Sequence, residues 1–216
     1  MASPSTELGS ALLRLARHAI GTALGALPAA AGSDTNGMRF SPAVEAALSA
    51  PGATFVTLTQ DGALRGCIGT LQPWRPLRDD VQANAVAAAL RDTRFVPLRR
   101  EELARTRIEV SLLSATEPVP AHRREDALQR LRPGIDGVIF QWHDRRSTFL
   151  PQVWAQLPQP RAFLRQLVAK AGLPPDFWDD AVQLQRYTVT KWCEPEPASA
   201  QGATQERSDG PIDAHG

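Results

Sequence analysis

Thr54-Phe55-Val56-Thr57-Leu58-Thr59-Gln60-Asp61-Gly62-Ala63-Leu64-Arg65-Gly66-Cys67-Ile68-Gly69-Thr70 is the stretch whose reading decides the fold. Residues 54–59 are rich in β-branched and aromatic side chains and read as a strand. Asp61-Gly62 is a dipeptide that two-residue hairpin turns favour, so residues 64–70 form the returning strand. Side chains alternate across a strand, which puts Leu64, Gly66 and Ile68 on one face and Arg65 and Cys67 on the other, about 7 Å apart. Cys67 thereby gains a cationic neighbour, and a cation favours the thiolate, the reactive form of cysteine. Gly66 and Gly69 lack a Cβ and leave the backbone beside the sulfur open to a bulge or to the close approach of a ligand.

Working outward, residues 11–31 are apolar and free of acids, but Arg14, Arg17 and His18 interrupt them. Leu12, Ala16, Ala19, Ile20 and Ala23 share one helical face, so this is a core-packing helix rather than a leader peptide. Residues 29–39 read as a loop, and Ser41-Pro42 opens a short helix with a serine N-cap and a first-turn proline. Beyond the hairpin a helix is expected over 77–91, with Asp79 and Asp80 in its first turn and Val81, Ala85 and Ala88 on its buried face. A short helix at 99–104 precedes a strand at 106–114, where Ile108, Val110 and Leu112 face one way and Glu109 lies on the polar side. A helix at 123–131 ends at Pro133-Gly134, and a second hairpin spans 137–150. An amphipathic helix at 160–171 follows, and one last strand covers 182–192. Residues 195–216 are polar and Pro-, Ser- and Gly-rich and are expected to be disordered.

Composition narrows the function classes. The chain has 216 residues, 43% of them hydrophobic, which is enough to bury a real core. A net charge of +1 argues against bulk DNA or an anionic membrane as partner. No run reaches the roughly eighteen continuous apolar residues that a membrane span requires. Two cysteines, Cys67 and Cys193, suit a reducing cytoplasm better than a disulfide scaffold and form no metal-type pair. Walker, dinucleotide-binding and zinc-protease patterns are absent, and no cofactor or metal is called for. Irregularly alternating helices and strands with two hairpins give an α+β fold with an antiparallel-sheet core and flanking helices.

Leu64-Arg65-Gly66-Cys67-Ile68-Gly69 resembles the signature hexapeptide of the AMMECR domain family, whose bacterial members are called AmmeMemoRadiSam system protein A. Arg91-Asp92-Thr93-Arg94-Phe95-Val96-Pro97-Leu98, Ile108-Glu109-Val110-Ser111-Leu112-Leu113, Gly134-Ile135-Asp136-Gly137-Val138, Thr148-Phe149-Leu150-Pro151-Gln152-Val153 and Lys170-Ala171-Gly172-Leu173 look like later landmarks in the same order. The resemblance implies one domain over residues 8–194 between a flexible start at 1–7 and the tail at 195–216. It further implies a larger lobe packed against a smaller one, with the hexapeptide near the groove between them. It also implies work beside a Memo-type protein and a radical-SAM protein. Iron–sulfur chemistry would belong to the latter, because two cysteines are too few to hold a cluster.

Cys67 has two readings. One is a small apolar filler in a Gly-rich strand, since free cysteine is among the most buried residues. The other is a nucleophile or group carrier, with Arg65 as electrostatic partner or anion binder, Gly66 and Gly69 giving access, and Glu109 as proton acceptor. Residue 65 is Arg where a nucleophile elbow requires Gly, and His122 and His143 sit in expected turns rather than beside the thiol. The competing class is a non-catalytic module whose groove holds a partner protein, a small molecule or RNA.

Overall fold

The structure, a computed structural model, describes residues 4–27 and 38–196. Apart from residues 38–39 and 195–196, the loop read at 29–39 and the tail read at 195–216 lie outside the described residues. In chain order the elements are α1 (Pro4–Ala23), α2 (Pro42–Ser49), β1 (Thr54–Gln60), β2 (Ala63–Gly69), α3 (Leu77–Leu90), β3 (Arg107–Leu113), β4 (Glu117–Pro118), α4 (Arg124–Arg130), β5 (Gly137–Trp142), β6 (Arg145–Phe149), α5 (Pro160–Lys170), β7 (Gln183–Tyr187) and β8 (Val189–Cys193). Short 3-10 turns stand at Arg100–Arg105 and Pro151–Ala155. The boundary expected at Leu8 falls inside α1.

Two antiparallel four-stranded sheets organise these elements, in the orders β2-β1-β3-β8 and β4-β7-β5-β6. The β1–β2 turn is the expected Asp61-Gly62 pair, with φ of 51° and 78°, the two positive values a type I′ turn needs. On the first sheet Thr54, Val56 and Leu58 of β1 and Ile108 and Val110 of β3 are buried. They meet Ala11, Leu12, Leu15, Ala16 and Ile20 of α1, Val44 and Leu48 of α2, and Val81, Ala85 and Ala88 of α3. Ala23, expected on the buried stripe of α1, is exposed where that helix ends. On the second sheet Val138, Phe140 and Leu184 bury against Ala127 of α4 and Phe163, Leu164, Leu167 and Val168 of α5. A third cluster, Ala53, Leu113, Ile139 and Tyr187 with Phe55, Leu150 and Val189 against it, joins the two lobes.

Ser41 caps α2 as expected, its hydroxyl accepting from the Val44 N–H at 3.5 Å. The start of α3 is held differently. Asp80 is fully buried and accepts from the Thr54 N–H (2.8 Å) and hydroxyl (2.7 Å), the Thr70 hydroxyl (2.7 Å), Arg75 Nε (2.9 Å) and Asn84 Nδ2 (2.9 Å). These bonds tie the helix to the start of β1 and to Thr70 just past β2, so burying the carboxylate leaves it fully partnered.

The single last strand expected at 182–192 is two strands in two sheets. β7 pairs with β4 and β5, and β8 pairs with β3. The change of sheet comes at Thr188, whose N–H donates to the Ser114 hydroxyl (3.0 Å) and whose carbonyl accepts from the Ser114 N–H (2.9 Å). Ser114 lies where the chain leaves β3 for β4, so the outgoing and returning crossovers are bonded to each other. Alternation continues through Tyr187 and Val189, both in the inter-lobe cluster, and so gives no sign of the break.

Candidate functional site

β2 is an edge strand with a bulge. Leu58 pairs with Gly66 but Thr59 pairs with Leu64, leaving Arg65 as the extra, unpaired residue. The face assignment expected from strict alternation is therefore corrected. Leu64 and Cys67 pair with Thr59 and Thr57, which share a face of β1, and Gly66 lies on the helix side. A Cβ built on Gly66 would stand 2.1 Å from the Ala88 carbonyl oxygen of α3, and one on Gly69 would stand 2.2 Å from Cγ of the Phe55 ring. Backbone and ring thus occupy the space that each glycine leaves on its side-chain side.

Cross-strand pairing aligns Cys67, Thr57, Glu109 and Cys193 in one row over four strands, on the face away from the helices. Cys67 is half-buried, and its Sγ accepts a hydrogen bond from Thr57 Oγ1 at 3.3 Å. Glu109 stands two strands from Cys67, about 10 Å away by strand spacing. It accepts from Lys191 Nζ at 3.0 Å, and the same ammonium donates to Gln152 of the second lobe at 3.3 Å. The row therefore ends beside the junction of the lobes.

The outward backbone of Cys67 has no strand partner, and two side chains take that place. Asp92 accepts from the Cys67 N–H at 2.8 Å, and Arg94 Nη2 donates to the Cys67 carbonyl at 3.3 Å. Asp92 and Arg94 are themselves paired at 2.7 Å. The Arg94 hydrogen bond is the main cause holding the Asp92 carboxyl well below the ordinary carboxylate range. Arg94 is raised in turn, chiefly by Asp92, with Cys67 among the charges it feels.

Arg65 is directed elsewhere. Its guanidinium donates to Glu102 (3.2 and 3.3 Å) and to the carbonyls of Val96 (2.7 Å) and Pro97 (3.4 Å). Glu102 also accepts from the Arg99 N–H at 2.9 Å and from Gln60. These bonds, the Arg99 N–H first, push its carboxyl down to about 2. The cation in contact with the Cys67 backbone is thus Arg94. Alternation could not locate Asp92, Arg94 or Thr57. The sequence trace of the first two is an Asp followed two residues later by an Arg just past the end of α3, inside the stretch 91–98 that resembles a family landmark.

A cavity of about 570 Å³ lies over this corner, walled by Arg65, Arg94, Phe95, Val96, Arg99 and Glu102. A second, of about 490 Å³, opens between the lobes at Gln72, Leu113, Thr116, Arg146 and Gln185. Among the described residues no group of three or more His, Cys, Asp or Glu side chains is placed to hold a metal ion. None of the described helices is long and apolar enough to cross a membrane.

The family model described as AMMECR1 matches residues 13–192. A protein of Aeropyrum pernix is 38% identical over 200 residues, covering 88% of this chain and 80% of that relative. One of Thermotoga maritima is 40% identical over 140 residues, 64% of this chain and 75% of that relative. Among solved structures, the uncharacterized protein PH0010 from Pyrococcus horikoshii matches with a TM-score of 0.73 at 31% identity, over 88% of this chain and 93% of its own. The match runs from inside α1 to β8 and takes in both sheets, the Cys67 hairpin and the Asp92 loop behind it, so the chain belongs to the AMMECR1 family.

Proposed function

We propose that this AMMECR1-family protein is a thiol-dependent enzyme or group carrier with Cys67 as its nucleophile, one component of a cytoplasmic modification system that includes a Memo-type protein and a radical-SAM protein. The observation that carries this reading is the Thr57 hydroxyl donating to the half-buried Cys67 sulfur. The Thr57 hydroxyl at the sulfur and the Arg94 guanidinium at the backbone carbonyl fix the side chain and its strand position from two sides. In the reaction the Cys67 proton leaves through solvent, with Glu109 in the same row as its acceptor, while the Thr57 hydroxyl donates to the sulfur that remains. The sulfur attacks an electrophilic carbon of the substrate, the S–C bond forms, and the leaving group departs with its electron pair. A second nucleophile then takes the group and restores the thiol. Lys191 holds Glu109 in place, Arg65 shapes the adjoining corner through Glu102, and Gly66 and Gly69 let α3 and Phe55 close on the hairpin.

The cavity between the lobes favours a second reading, a non-catalytic module for a partner protein, small molecule or RNA, because it presents Gln72, Arg146 and Gln185 without drawing on Cys67. Iodoacetamide labelling of the native protein separates the two, with Cys67→Ser defining the Cys193 background. Cys67 is expected to label in the native state, and Thr57→Val to slow it about two- to tenfold, the worth of one hydrogen bond. Cys67 that stays unlabelled until the protein unfolds would overturn the thiol reading and favour the module.

A further inference from the structure

The arginine-walled cavity is not used by the reaction just described, and its charge is unbalanced. Its lining carries three arginines, Arg65, Arg94 and Arg99, against one acid, Glu102, in a chain whose net charge is only +1. Glu102 in the lining and Asp92 behind Arg94 are both committed. Asp92 is bound by Arg94 and the Cys67 N–H, and Glu102 is shared by Arg65, Arg99 and Arg105. The guanidiniums are less committed. Arg94 uses Nε and Nη2 and leaves Nη1 without a partner among the described residues. Arg99, with a side chain 78% exposed, meets Glu102 only at 3.5 Å and makes no side-chain hydrogen bond among the described residues. Free planar N–H forks beside surplus positive charge are what phosphate recognition requires. Phe95, its ring 5.4 Å from the Arg94 guanidinium carbon, and Val96, 78% exposed, supply apolar wall for the rest of a ligand. A volume of about 570 Å³ suits a small molecule.

We infer that this cavity binds the phosphate or diphosphate group of a small-molecule substrate, gripped by Arg94 Nη1 and Arg99, and so brings that substrate to the Cys67 hairpin. The site itself stands on the arginine geometry, while the purpose of delivery rests on the thiol reading of Cys67. Arg94 joins the two, because the guanidinium that faces the cavity also bonds the Cys67 carbonyl.

The test uses inorganic pyrophosphate as probe, titrated calorimetrically into the full chain at constant ionic strength, with sulfate as the comparison anion. Wild type and Cys67→Ser are expected to bind pyrophosphate alike. Arg99→Met should weaken binding about tenfold or more, as the loss of a charge-assisted hydrogen bond does, and Arg100→Met, outside the cavity, should leave it unchanged. Pyrophosphate should also slow iodoacetamide at Cys67. Should Arg94→Met prove unstable through its Asp92 bond, Arg99→Met still decides. Absent binding, binding indifferent to Arg99→Met, or sulfate bound equally well each overturns the phosphate site. Binding intact in a protein whose Cys67 never labels keeps the phosphate site and removes the thiol reading.

Discussion

Replacing Gly66 by alanine is the sharpest test of how the hairpin is held. The added methyl would sit 2.1 Å from the Ala88 carbonyl oxygen and 3.1 Å from its carbonyl carbon, where even a close C–H···O contact needs about 3.3 Å between carbon and oxygen. Both groups are backbone, one in β2 and one in the last turn of α3, so no side chain can swing away. Helix and strand must part by about 1 Å, loosening Ala85 and Ala88 from the sheet they cover. Overpacking of this kind costs about 1–3 kcal/mol or more, against about 0.8 kcal/mol gained by burying the methyl. Two rigid backbones place this site at the upper end of that range, and a net loss near 2 kcal/mol corresponds to a Tm lower by about 4–8 °C in a chain of this size. Thermal and urea unfolding measure it, with Gly62→Ala as control. At Gly62 there is open space and only a φ of 78° to oppose a side chain, so about 1–2 kcal/mol is expected. A Gly66→Ala protein that melts within a degree of wild type would refute the close-packing account and return Gly66 to the part of giving ligand access.

Two further changes follow from the ionisable groups. Glu102 is held near 2 in the folded protein, below the ordinary value of about 4.3, so its stabilisation is fully present above pH 4.3 and is lost as pH falls toward 2. Glu102→Gln should therefore lower the urea midpoint at pH 7 and narrow its gap to wild type between pH 4 and 2; a gap constant with pH would show that the carboxylate charge contributes nothing. Tyr187, pushed up to about 12 by burial, donates to the Phe149 carbonyl at 3.2 Å and meets the Thr148 hydroxyl. Tyr187→Phe should cost about 1 kcal/mol, and ultraviolet titration of the native protein should show no tyrosinate below pH 11, since Tyr187 is the only tyrosine.

Local signals carried much of the fold. Asp61-Gly62 located the first hairpin, Ser41-Pro42 the start of α2, and Val81, Ala85 and Ala88 the inward face of α3, because turn, cap and helical period are properties of neighbouring residues. What escaped depends on residues distant in sequence. The chain changes sheets at Thr188 because Ser114, 74 residues earlier, supplies its hydrogen bonds, and no periodicity records that. The bulge is the more consequential case. Counting back from the two-residue turn sets Gly66 opposite Thr57, whereas the observed register sets Cys67 there. One inserted residue makes the difference. It leaves Arg65 unpaired, with its guanidinium on Glu102 and the walls of the arginine cavity. The same shift turns Gly66 toward the Ala88 carbonyl and brings the sulfur under the Thr57 hydroxyl. Local rules fail at this point because the register there answers to α3 and to the 91–107 segment rather than to the strand itself. The irregularity that defeats a period-two reading is thus also what assembles the Cys67, Thr57 and Glu109 row.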